Sequence, residues 1–151
     1  MDWMLMPLRR YAEFSGRSRR KEYWMYVLML VIVGFVLGLV EGLVGLTGMV
    51  GPYGPLSALF LLGTFIPSLA VGIRRLHDTD RSGWWMLLGI VPYGLSIIML
   101  LSGNLVLAGT LAMVALVCAI VLLVFMVLEG TKGPNRFGAD PKSGDQAEVF
   151  S

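Results

Sequence analysis

The stretch VLAGTLAMVALVCAIVLLVFMVL, residues 106–128, is 23 residues long and holds no charged side chain. As a helix it would rise about 35 Å at 1.5 Å per residue, enough to cross a hydrocarbon layer of about 30 Å with some tilt. Three more stretches read the same way: about 23–41, 55–73 and 84–101. Trp24 and Tyr26 mark the entry of the first at headgroup level, and Glu41 closes it beside Gly42, Gly45 and Gly48. An acidic residue in such a position invites a proton-site reading, but a place at the far interface is the simpler expectation. Pro67 and Pro92 fall inside the second and third stretches. Each removes a backbone hydrogen bond, which membrane helices tolerate when a neighbour satisfies the freed carbonyl. Static kinks are expected there rather than hinges.

Composition agrees. Hydrophobic residues make up 56% of the 151-residue chain and charged residues only 15%, against about 25% charged in a soluble domain. So much apolar surface must face lipid. The single cysteine, Cys118, lies inside an apolar stretch and excludes an internal disulfide. No CxxC pair or zinc-ligand spacing occurs, and no cofactor is implied. The first apolar stretch is not a signal peptide. It follows a long polar region that includes Glu13 and Glu22, exceeds the usual apolar length, and lacks a cleavage site.

All 12 Lys and Arg residues fall in 1–22, 74–83 and 129–142, whereas the connections at about 46–55 and 102–104 are uncharged. With four crossings every cation lands on one face, which the excess of Lys and Arg marks as cytoplasmic, together with both termini. The expected fold is therefore an all-α membrane protein of four transmembrane helices, arranged as two antiparallel pairs in a bundle. It forms a single domain over 1–142. A short interfacial amphipathic helix, about 7–14, precedes the spans, with Pro7 at its first position and a break at Gly16. The polar tail 143–151 is expected to be disordered.

Three polar constellations meet at that face. The first, 14–24, carries Arg17, Arg20 and Glu22 ahead of the anchor Trp24. The second, 74–85, carries Arg74, Arg75, His77, Asp78, Asp80 and Arg81, followed by the anchors Trp84 and Trp85. Asp80 or Ser82 is placed to cap the third span. His77, Asp78 and Asp80 together are the most enzyme-like feature, able in principle to hold a divalent metal or a general base. The neighbouring arginines compete for those carboxylates, so a salt-bridged turn is the stronger expectation and no metal or catalytic residue is assigned. The third, 129–141, carries Glu129, Asn135 and Arg136 among turn-forming Gly and Pro. An anion at a helix C-terminus is disfavoured, so Glu129 requires a cationic partner, for which Arg74 or Arg75 is the expectation.

The three motifs, in this order between four spans, give the chain its resemblance. FSGR at 14–17 with RKEYW at 20–24, RRLHD at 74–78 with RSGWW at 81–85, and EGT at 129–131 with NRFGADP at 135–141 resemble the domain-of-unknown-function 805 family. That resemblance implies a four-helix, multi-pass protein of the bacterial inner membrane and carries no catalytic residues with it. The leading functional expectation is non-enzymatic: an arginine-rich cytoplasmic face that staples helices and binds anionic headgroups or a protein partner, with no nucleic acid involved. An oligomeric small-solute transporter or channel is the alternative, although the spans contain no midspan charge to coordinate an ion. A membrane enzyme acting on a headgroup ranks below both.

Overall fold

The computed structural model describes residues 2–50 and 52–142, so the tail expected to be disordered lies outside the described residues. Helices run over Asp2–Arg9 (α1), Arg20–Val44 (α2), Pro55–Asp78 (α3), Leu87–Leu101 (α4) and Leu105–Val127 (α5), with a 3-10 turn over Gly83–Met86 leading into α4. Four of these segments, α2, α3, Gly83–Leu101 and α5, are long and apolar enough to cross a membrane. The helix boundaries differ from those read off hydropathy. α2 begins at Arg20 rather than Tyr23, and α3 continues through Asp78 rather than stopping near Ile73. Hydropathy marks where lipid ends, whereas a helix ends where its hydrogen-bond ladder is capped. The first helix is displaced too. It spans Asp2–Arg9, so Pro7 lies within it rather than at its start. Trp3, Leu5 and Met6, ahead of the expected helix, are helical.

The described residues divide into two compact units, one drawn from 2–14, 21–50 and 52–71, the other from 15–20 and 72–142. In the first, α2 and α3 run antiparallel and are tied at several levels. The Tyr26 hydroxyl donates to the Thr64 carbonyl at 3.3 Å and lies 3.2 Å from Ser68 Oγ. Pro67 frees the carbonyl of Gly63, and the Tyr11 hydroxyl donates to that oxygen at 2.9 Å. The neighbour that a membrane proline requires is thus supplied by the segment just after α1.

Glu41 is buried, and it is a tie rather than a loose interfacial residue. Its carboxylate accepts the backbone N–H groups of Leu56 at 2.6 Å and Ser57 at 3.0 Å, and the Ser57 hydroxyl at 2.5 Å. These are orphan donors of the first turn of α3, so the last turns of α2 cap the next helix with a charge of the favoured sign. Gly54 makes room, because a Cβ there would collide with this carboxylate. α2 itself closes with Leu46 N–H donating to the Glu41 carbonyl at 2.9 Å around Gly45 at φ +72°, a left-handed C-cap. Glu41→Gln keeps the shape but presents amide hydrogens to N–H donors. We expect it to lower stability by about 1–3 kcal/mol, measured as the unfolding midpoint in detergent. An unchanged midpoint would show that the cap carries no net stabilisation.

In the second unit, α4 and α5 form a hairpin. Gly103 turns the chain at φ +78°, and the Asn104 side chain accepts the Leu107 N–H at 3.2 Å to cap α5. A Cβ at Gly89 would lie 3.1 Å from Leu122, so the glycine lets α4 approach α5 closely. The end of α3 is held against the turn before α4 in the same way, since a Cβ at Gly83 would lie 2.7 Å from Ile73.

Candidate functional site

The polar end of α3 organises the second unit. Asp78 is the last residue of α3, and Arg75 stands one turn before it on the same face. The helix closes by a left-handed cap. Arg81 N–H donates to the Leu76 carbonyl at 2.9 Å and Asp80 N–H to the His77 carbonyl at 3.0 Å. Asp80 sits between them at φ +56°. This is the Schellman arrangement, with aspartate in the place glycine usually takes. Asp80 therefore ends α3, while Ser82 caps the following turn through its contact with Trp84 N–H at 3.5 Å. The sequence left those two residues as alternatives for one task, and each has its own.

Asp78 is bracketed by two guanidinium groups. Arg17 Nε donates to Oδ1 at 3.0 Å, and Arg75 Nη1 donates to Oδ2. The side chains of all three are almost wholly excluded from the surface. Both arginines carry further bonds. Arg17 Nη1 donates to the Gly133 carbonyl and Nη2 to the Thr131 carbonyl, each at 2.6 Å. Arg75 donates to the carbonyls of Met126, at 3.2 Å, and of Leu128. Those two oxygens belong to the end of α5, where carbonyls lack intrahelical partners and carry the negative end of the dipole. The Asp78 carbonyl accepts Thr131 N–H at 2.8 Å and the Thr131 hydroxyl at 3.2 Å. Gly130 is required beside it, since a Cβ there would collide with the Asp78 carboxylate.

A second layer lies over this one. Asn135 Nδ2 donates to the His77 carbonyl and to Thr131 Oγ1, each at 2.9 Å. His77 Nδ1 lies 3.1 Å from the Gly16 carbonyl, so it carries the proton in that bond. The His77 ring stacks on Phe137 with centroids 3.9 Å apart and planes 3° from parallel. Arg136 lies over the same Phe137 ring at 4.8 Å and pairs with Asp80 at 3.2 Å. Asp140 accepts the N–H groups of Lys142 and Gly133, and those bonds hold its carboxyl below the ordinary carboxylate range.

Glu129 does not pair with Arg74 or Arg75 as expected; its partner is Arg20, at 2.8 Å. Arg75 does link α3 to α5, but through backbone carbonyls. A buried guanidinium fork matches two diverging carbonyls, whereas Glu129 sits toward the surface and takes a surface cation. Arg74 is fully buried, and its carbonyl accepts the Ser18 N–H at 3.1 Å. Arg17, Arg20, Arg74, Arg75, His77, Asp78, Asp80, Arg81, Glu129, Asn135 and Arg136 all lie in this unit. Glu22 lies in the first turn of α2, where it is buried, and Trp24 is exposed beside it. Sequence reading did not single out Gly130 or Thr131, nor the stacking of His77 on Phe137. The EGT run at the end of an apolar stretch was the available signal for the first two. No local signal exists for a contact across sixty residues.

Both oxygens of Asp78 are engaged by guanidinium groups, one from Arg17 and one from Arg75. Among the described residues no three His, Cys, Asp or Glu side chains come together to hold a metal ion.

The matching family model covers residues 11–139, a range that contains the first two motifs and all but Asp140 and Pro141 of the third, and is described as a protein of unknown function, DUF805. The chain belongs to the DUF805 family. Its relatives include the inner membrane protein YhaI of Escherichia coli strain K12, 46% identical over 144 residues, covering 95% of this chain and 98% of that one. The inner membrane protein YhaH of the same strain is 40% identical over 142 residues, covering 94% and 98%. No solved structure matches the chain. Four apolar helices and inner-membrane relatives make this DUF805 chain a multi-pass membrane protein.

Proposed function

We propose that this is a non-enzymatic inner-membrane protein whose three polar motifs form an ion-pair clamp at the cytoplasmic ends of its helices, with the outward arginines left to meet anionic lipid or a partner. The carrying observation is the saturation of Asp78 by Arg17 and Arg75. A carboxylate built for acid–base work or metal binding keeps one oxygen open to its substrate or ion; this one is closed by two cations. The clamp gathers the end of α3, the end of α5 and the segments 15–20 and 129–138, which supports a role in fixing how the spans end. The cytoplasmic placement is supported by the confinement of all 12 Lys and Arg residues to three segments.

Placement is tested by a single thiol in the clamp loop. In a Cys118→Ser background, Lys132→Cys is exposed to a membrane-impermeant maleimide. We expect labelling only after the inner membrane is permeabilised. Labelling in spheroplasts with an intact inner membrane would place the clamp on the opposite side and overturn the reading.

A further inference from the structure

Arg17, Arg20, Arg75 and Arg136 each face a carboxylate. Arg81 does not: among the described residues it makes no ion pair. Its Nη1 donates to the Thr79 carbonyl at 3.1 Å, and its guanidinium lies over the Phe125 ring at 4.1 Å. The nearest carboxylate in sequence, Asp80, is taken by Arg136. Trp85 meets the same Phe125 ring nearly at a right angle, with centroids 5.3 Å apart. So the unneutralised cation and this indole both contact the Phe125 ring.

Trp85 also lines a groove of about 350 Å³, together with Ser82, Trp84 and Leu88. Trp84 is 78% exposed, and Leu88 continues the groove onto the apolar, exposed side of α4. A cation, a hydroxyl and two indole rings thus stand at the head of an apolar helix face that crosses the bilayer. The arrangement has the polarity of a phospholipid: charge and hydrogen-bond donors at one end, hydrocarbon at the other. Tryptophan belongs at headgroup depth for the same reason.

We propose that Arg81, Ser82, Trp84, Trp85 and Leu88 form a site for one anionic phospholipid, its phosphate on Arg81 and its acyl chain along Leu88. The uncompensated charge decides between lipids. A zwitterionic headgroup brings its own cation to the site, and an anionic one does not. The site deepens the reading given above by naming what one outward arginine meets. It does not depend on which leaflet that is.

The full chain carrying Trp3→Phe and Trp24→Phe, so that only Trp84 and Trp85 emit, is reconstituted in vesicles of phosphatidylcholine. A fixed fraction is either brominated phosphatidylglycerol or brominated phosphatidylcholine, present in both leaflets. We expect the anionic quencher to be enriched about fivefold at the tryptophans. Arg81→Gln should remove that excess, Arg81→Lys should retain it, and Arg136→Gln should leave it unchanged. Equal quenching by the two lipids, an excess that survives Arg81→Gln, or its loss in Arg81→Lys would overturn the proposal. So would protection of the tryptophans from both lipids alike, which would mean that a second copy covers the groove. Because anionic lipid is present on both sides, a reversed clamp orientation would leave this result intact.

Discussion

Asp78→Asn is expected to be the most damaging single substitution in the chain, lowering stability by about 3–5 kcal/mol. Asparagine nearly matches the shape of aspartate, and the backbone carbonyl that accepts Thr131 is untouched. What disappears is the negative charge between two buried guanidinium groups. The amide also turns hydrogens toward one of them. Two cations are then left buried with no counter-charge at the position that both contact. The comparison that isolates burial is Glu129→Gln, which removes the carboxylate of the Arg20 pair. There the side chains are 42% and 64% exposed, against 1% and 4% for Arg17 and Asp78. An exposed pair is worth at most about 1 kcal/mol. Unfolding midpoints of the two variants in the same detergent should differ clearly. Equal losses would mean that the buried charge does not hold the clamp, and the proposed function would lose its support.

Arg17→Lys is expected to cost about 2–4 kcal/mol although the charge is retained. Arg17 reaches Asp78 with Nε, Gly133 with Nη1 and Thr131 with Nη2. These three acceptors are fanned around a planar fork. A lysine ammonium is a single point and cannot reach all of them, so at least one buried carbonyl of the 131–133 turn loses its charged donor. The loop should then open locally before the helices unfold. Trypsin reports this directly, because Lys132 is exposed within that turn. Cleavage after Lys132 should be faster in Arg17→Lys than in the parent, while Arg20→Lys, altered at an exposed pair, should cleave at the parental rate. Matching rates in all three proteins would show that the fork is not what closes the loop.

The two arginines differ in how far the sequence revealed them. Arg75 could be placed near the end of an apolar helix, because a cation there suits the dipole. Its partners could not be assigned. Pairing it with Glu129 was reasonable on charge alone, yet the acceptors are Asp78 one turn away and the carbonyls of Met126 and Leu128. Opposite charge is a long-range, undirected attraction, and a sequence with 12 cations and 10 anions allows many pairings. Burial and fork geometry select among them. Glu41 follows the same logic. Its position at the end of a span was legible, but its role as the cap of α3 depends on Gly54 bringing another helix start within reach.

Helix number, helix class and the segregation of charge were determined by the sequence itself. Transfer of apolar side chains out of water is additive along a segment and needs no knowledge of neighbours. The motif spacing likewise carried the family. Tertiary structure alone decided which residues meet. It made Asp78 the centre of the clamp, put Thr131 and Gly130 beside it, stacked His77 on Phe137 and, among the described residues, left Arg81 without a carboxylate. Ion pairs and hydrogen bonds gain strength only at short range and in fixed directions. Those distances come into being when the chain closes.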